Sequence, residues 1–175
     1  MKITKAILAV AALIFSFSSG AVAQEQNRTT VSIIGEYKDW SAYSFLENGK
    51  TVCFIASQPI NSEGEYTNRD RIFWLLAHRP ALKSANVSSF VAGYDLKKGS
   101  TVKVTIDNQP IKTMYPHDDR SWFPDRDDEP VMKMMRAGNR MVVEAISSRD
   151  TKTTDTFSLS GFTAAHREIT KTCGM

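Results

Sequence analysis

Two cysteines, three histidines and one acidic, aromatic stretch are the side chains in this 175-residue chain whose types could do chemistry. Cys53 and Cys173 lie roughly 120 residues apart. They could form a disulfide or stand as two separate thiols. An even count in an exported chain favours the bond, which would stabilise by about 4 to 5 kcal/mol in the chain-entropy view. His78, His117 and His166 make no zinc-ligand spacing with one another or with a cysteine. His78 ends an apolar run and reads as structural. His166 falls on the last predicted helix, at its boundary with solvent. The patterns G-x-S-x-G, G-x-G-x-x-G and the phosphate-binding P-loop are absent. A triad can be built from distant residues without a local motif, but no catalytic residue, metal ligand or cofactor site is assigned.

The stretch 115–129 is the most unusual local composition. It sets Asp118, Asp119, Asp125, Asp127, Asp128 and Glu129 around Trp122 and Phe123. Several oxygen ligands could suit calcium, but the EF-hand order and its glycine are missing, and Arg120 and Arg126 offset the charge. It reads as a long solvated loop. Its two aromatics either pin the loop to the fold or anchor a partner. Loops on a rigid scaffold commonly carry recognition, so Trp122 and Phe123, oriented by Asp118, Asp119 and Arg120, are the candidate partner-binding residues.

Lys2 and Lys5 precede an apolar run from Ala6 to Phe17, and small residues follow to Ala21-Val22-Ala23. That order describes a secretory signal peptide, 1–23. Its apolar run is too short for a permanent anchor. Residues 24–175 then form one domain of ordinary size, long enough to bury a core. The chain carries 22 Lys and Arg against 19 Asp and Glu, and loss of Lys2 and Lys5 narrows the excess to about +1. No clustered basic face supports nucleic-acid binding.

The elements that must position these side chains are mostly short strands. Asp39 to Phe45 alternates bulky and small residues, and Asn48-Gly49 is a hairpin turn because both residues tolerate positive φ. Thr51 to Ala56 returns. Gln58 to Thr67 reads as a loop. Arg71 to His78 is nearly all apolar, a strand buried on both faces or a short helix; the following Pro80 and the aromatics favour the strand. Val87 to Tyr94 is another strand. Thr101 to Ile106 places Val102, Val104 and Ile106 on one face and Thr101, Lys103 and Thr105 on the other. A helix over 130–137 begins at Pro130, with Val131, Met134 and Met135 on one face. Met141 and Val143 share a strand face. The threonine-rich strand 151–159 points Phe157 and Leu159 inward. Phe162, Ala165, Ile169 and Cys173 follow helical spacing over 162–172, bringing Cys173 toward Cys53. The pattern predicts an antiparallel β-sandwich or partly open barrel with a short helix and a C-terminal helix.

Several of these segments, in this order, resemble the invasion-associated locus B family. They are Asp39-Trp40-Ser41-Ala42, Lys50-Thr51-Val52-Cys53, Ala56-Ser57-Gln58-Pro59, His78-Arg79-Pro80, Val91-Ala92-Gly93-Tyr94, Thr105-Ile106-Asp107 and Thr153 through Phe162. The terminal Cys173 fits as well. The threonine-rich segment ending in Gly161-Phe162 is the most specific piece. Relatives often carry a second cysteine pair beginning just after the Asp-Trp motif, where this chain has Tyr43-Ser44. The resemblance implies a periplasmic or surface-reaching protein of Gram-negative bacteria, linked to host-cell invasion, with an envelope or host protein as partner. It brings no catalytic residues. A non-enzymatic binding protein is the expected class. An envelope hydrolase, a folding factor or a small-ligand carrier is the alternative.

Overall fold

Strand alternation and tight turns build most of the molecule. The structure, a computed structural model, describes residues 30–175; the predicted signal peptide lies outside them. In chain order the strands are β1 (Ser32–Tyr37), β2 (Trp40–Glu47), β3 (Lys50–Ser57), β4 (Asn61–Gly64), β5 (Phe73–Arg79), β6 (Ser84–Val91), β7 (Val102–Ile106), β8 (Gln109–His117) and β9 (Arg120–Trp122). Helix α1 (Asp125–Ala137) follows, then β10 (Arg140–Ile146), β11 (Lys152–Ser158) and helix α2 (Phe162–Cys173). The strands form one antiparallel sheet in the order β1-β2-β3-β5-β6-β9-β8-β7-β10-β11-β4, which does not close.

The sheet folds on itself at β8. The first part of β8 pairs with β7, Ile106 opposite Gln109 and Val102 opposite Met114. Its end pairs with β9, Tyr115 opposite Trp122. One strand therefore serves two halves, and their inner faces meet. Trp74 and Phe90 of the first half each lie 6.3 Å from Phe157 of the second, ring centre to ring centre. Large offset aromatic contacts of this kind fill the core.

Helix α2 covers the rest of the first half. Phe162 meets Trp40 edge-on at 5.0 Å, and the Trp40 indole N–H donates to the Ser158 carbonyl. Cys53 and Cys173 are bonded, with Cα atoms 6.1 Å apart, tying β3 to the end of α2. Gly161 starts this helix at φ 95°, and a Cβ there would sit 1.8 Å from the Tyr37 carbonyl oxygen. Only glycine lets the chain pass so close.

Val102, Val104 and Ile106 are buried as expected, together with Met141, Val143, Phe157 and Leu159. Five expectations are corrected. The stretch 115–129 is not a loop: it holds the end of β8, the turn at Asp118 (φ 54°), β9 and the first turn of α1. Strands this short fall below any readable pattern, and aspartate can take left-handed backbone without glycine. Helix α1 accordingly starts at Asp125, before Pro130, and its first turn holds Asp125, Asp127 and Asp128, where carboxylates favour the helix dipole. The earlier start sets the buried stripe at Asp128, Val131, Met132 and Met135, leaving Met134 36% exposed. The segment 58–67 contains β4, which pairs with Thr153 to Thr156 of β11 through backbone groups its polar side chains do not advertise. Strand β5 buries only one face: Trp74, Leu76 and His78 point in, while Phe73, Leu75 and Ala77 are half-exposed.

Candidate interaction surface

The outward face of the first half-sheet follows from pairing register. Ser41, Ala56, Leu75, Ser89, Trp122 and Tyr115 stand side by side across β2, β3, β5, β6, β9 and β8. A parallel row runs Ile33, Tyr43, Phe54, Ala77, Val87. Tyr43 stacks on Phe54 at 5.0 Å, and Phe45 meets Phe54 edge-on at 6.0 Å. Both helices and the second half-sheet lie on the opposite face. The outward rows are therefore left uncovered among the described residues, with Ile33 65% and Tyr115 58% exposed.

The second half-sheet shows what a plain solvated face looks like in the same molecule. Its outward rows are Thr105, Val142 and Thr156, and Lys103, Glu144 and Thr154. Threonine and paired opposite charges are ordinary on a wet sheet. The aromatic face on the first half is not.

The β8–β9 hairpin brings most of the predicted partner-binding residues to that face. Trp122 and His117 stand together, ring centres 6.4 Å apart. Asp118 and Asp119 form the turn, and their carbonyls accept from the Leu96 and Ala92 amides at 2.9 Å each. Asp119 sits 3.7 Å from Arg120, and Asp118 3.2 Å from His117. Phe123 departs from the expected pair: alternation turns it inward, where it is buried 6.0 Å from Trp74. The acidic residues of 115–129 are split between this turn and α1, which removes the calcium reading for them. Among the described residues no group of three His, Cys, Asp or Glu side chains could hold a metal ion.

Behind the face lies a polar seam that holds both helices to the sheet. The Asn86 amide donates to His78 Nδ1 at 3.1 Å, so the ring proton sits on Nε2, aimed at Thr170 Oγ1 at 3.2 Å. Thr170 in turn donates to the His166 carbonyl. His166 Nε2 lies 2.7 Å from Asn86 Oδ1, and Asn86 Nδ2 donates to Glu129. Burial and the neighbouring His166 push His78 down to about 4. Burial and then Arg136 lower His166 too, which is buried rather than at the solvent boundary because it packs against His78, Phe162 and Asn86. Burial raises the Asp128 carboxyl to about 6 despite the Ser88 amide it accepts. Both His78 ring nitrogens are thus engaged within the fold.

Two residues with a large electrostatic role escaped the sequence reading. Arg69 and Asp155 form a doubly hydrogen-bonded pair, 2.8 and 2.6 Å, with side chains 2% and 0% exposed. Arg69 Nε also donates to the Ala92 carbonyl at 2.7 Å. Its guanidinium lies between the rings of Tyr66 and Tyr94, 5.3 and 4.7 Å from their centres. Parity carried the signal for Asp155: it is two residues from Phe157 and so on the inward face. Thr153, on the same inward parity, is buried beside it.

Comparison with known proteins agrees with this architecture. The crystal structure of invasion associated protein b from Bartonella henselae superposes with a TM-score of 0.56 at 16% identity, covering 79% of this chain and 95% of that one. At that identity the likeness speaks for the fold. No curated protein matches the sequence. The sequence profile described as Invasion associated locus B (IalB) protein matches residues 40–170. Since that span takes in most of the chain, from the first core tryptophan to the last turn of α2, the protein belongs to the invasion associated locus B family.

Proposed function

We propose that this is an exported, non-enzymatic binding protein of the cell envelope that recognises a protein partner through the outward face of its first half-sheet. The uncovered aromatic rows carry the reading. Tyr43 with Phe54, and Trp122 with Tyr115, set two pairs of large rings on one sheet face, with β5 and β6 between them, and Arg120 shares the outward parity of Trp122. Trp, Tyr and Arg are the side chains that most often carry binding energy between proteins. The name of the B. henselae protein speaks of invasion, which suits a molecule that works by contact.

Two substitutions separate recognition from packing. Trp122→Ala combined with Tyr115→Ala should reduce capture of envelope partners about tenfold or more while the melting temperature stays close to that of the parent. Phe123→Ala, on the inward side of the same hairpin, should instead cost about 3 to 5 kcal/mol of stability and leave capture by the folded fraction intact. Capture unchanged in the outward pair would remove this face as the binding surface. Export has its own check. Intact mass of the protein from the envelope fraction should correspond to a chain starting at or near Gln24, and retention of Met1 to Ala23 would refute cleavage there.

A further inference from the structure

A cavity of about 600 Å³ opens where the segment after β4, the turn after β10 and the segment after β6 converge. That volume is in the range of small-ligand sites. Its chemistry is unlike a typical apolar pocket: each lining residue carries a polar side chain. Glu65, Asp70 and Asp95 supply three carboxylates against the single guanidinium of Arg149. Among the described residues none of these four charged groups forms an ion pair. Asn68 and Thr151 add uncharged donors and acceptors.

The walls are fixed in place before any ligand arrives. Below them, the buried Arg69–Asp155 pair clamps the 65–70 segment to β11. The Asp70 amide donates to the Gly93 carbonyl at 2.9 Å, and Gly93 has φ 74° with the Asp70 carbonyl oxygen 2.3 Å from where a Cβ would lie. On the facing side the Ser148 amide donates to the Asp95 carbonyl at 2.7 Å. Ser147 Oγ accepts from the amides of Arg149 and Thr151. Tyr94 and Thr153 close the floor with a 2.5 Å hydroxyl–hydroxyl bond. A rigid concave site forgoes less entropy on binding than a mobile one.

We propose that this cavity binds a saccharide whose sugar units are neutral or carry an amine. The net negative lining disfavours anions, and the absence of aliphatic side chains disfavours apolar ligands. What remains needs many hydroxyls or amide groups to meet carboxylates, Asn68 and Thr151 at once, and a C–H face to lie on an aromatic ring. Tyr66, 38% exposed at the rim, offers that ring. The site is separate from the outward aromatic face, so its test stands independently.

Titration of the mature protein, followed by amide NMR, provides the test. The probes are chitotetraose, its fully deacetylated form, a heparin tetrasaccharide and spermidine. At least one of the two chitin-derived tetramers should give saturable shifts confined to residues 65–70, 93–95 and 147–153. The heparin fragment and spermidine should give none there, or bind at least tenfold more weakly. Asp95→Ala and Asn68→Ala should each weaken the bound tetramer about tenfold or more, since each removes a hydrogen-bonding group that lines the cavity, while the remaining spectrum stays unchanged. No saturable shift from either tetramer overturns the proposal. So do shifts mapping elsewhere, or spermidine or heparin binding as tightly, which would mark a site for charge and not for sugar. A variant whose whole spectrum changes is replaced by Thr151→Val, for which the same weakening is expected.

Discussion

Asp155→Ala should lower the unfolding free energy by about 3 to 5 kcal/mol, the usual result of removing one partner from a buried ion pair. The Arg69 guanidinium would be left 2% exposed with no carboxylate, still wedged between Tyr66 and Tyr94. The loss comes from the stranded charge, so a second prediction is built into the first. Arg69→Met together with Asp155→Leu removes both charges and should recover much of the deficit, because apolar replacements of similar volume are often close to neutral. Urea unfolding of the parent, single and double variants measures both effects. A single variant that loses less than about 1 kcal/mol would mean that water reaches Arg69 freely, as at exposed pairs.

Reduction of the Cys53–Cys173 bond should be comparably severe. The bond joins residues 120 apart in sequence, and in the chain-entropy view a loop of that size is worth about 4 to 5 kcal/mol, less any strain. The expected result is a denaturation midpoint that falls with reductant in the parent. Cys173→Ser should show the lower midpoint with or without reductant. Equal midpoints for oxidised and reduced parent would show that the packing of Phe162, Ala165 and Ile169 holds α2 unaided. The bond's surroundings also bear on pH. His78 sits opposite Cys53 in the β3–β5 register and is pushed down to about 4 when folded, below its ordinary value near 6.5. It therefore favours the folded state above its unfolded value, and that contribution is lost as pH falls from about 6.5 toward 4.

Long-period features were legible in the sequence. Strict alternation in Val102, Val104 and Ile106 set both the strand and its buried face, and helical spacing from Phe162 to Cys173 located α2. Asn48-Gly49 marked its turn because few other residue pairs adopt φ of 51° and 73° together. What stayed hidden was short or encoded in backbone pairing. Strand β9 has three residues, too few for a period. Strand β4 is held by ladder bonds to β11, for which Asn, Ser, Glu and Gly give no cue. The candidate surface was half legible. Trp122 and its charged neighbours do gather on one exposed hairpin, but the split between outward Trp122 and inward Phe123 required the register. The rest of the aromatic face comes from strands far apart in sequence, and only pairing assembles it. Arg69 was invisible because its partner lies 86 residues away.

The covering of β1, β2 and β3 by α2 sets the order in which the molecule can be completed. These strands precede α2 in the chain, yet Trp40 gains its carbonyl partner only with Ser158, and Cys53 its partner only with Cys173, 118 and 120 residues later. An N-terminal fragment therefore has one bare side wherever it is made, exposing Trp40, Ala42 and Ile55 to water and to other chains. Non-local closure of this kind is slow and leaves early intermediates open to association. Truncation near residue 160 would therefore remove α2, the lid over β1, β2 and β3.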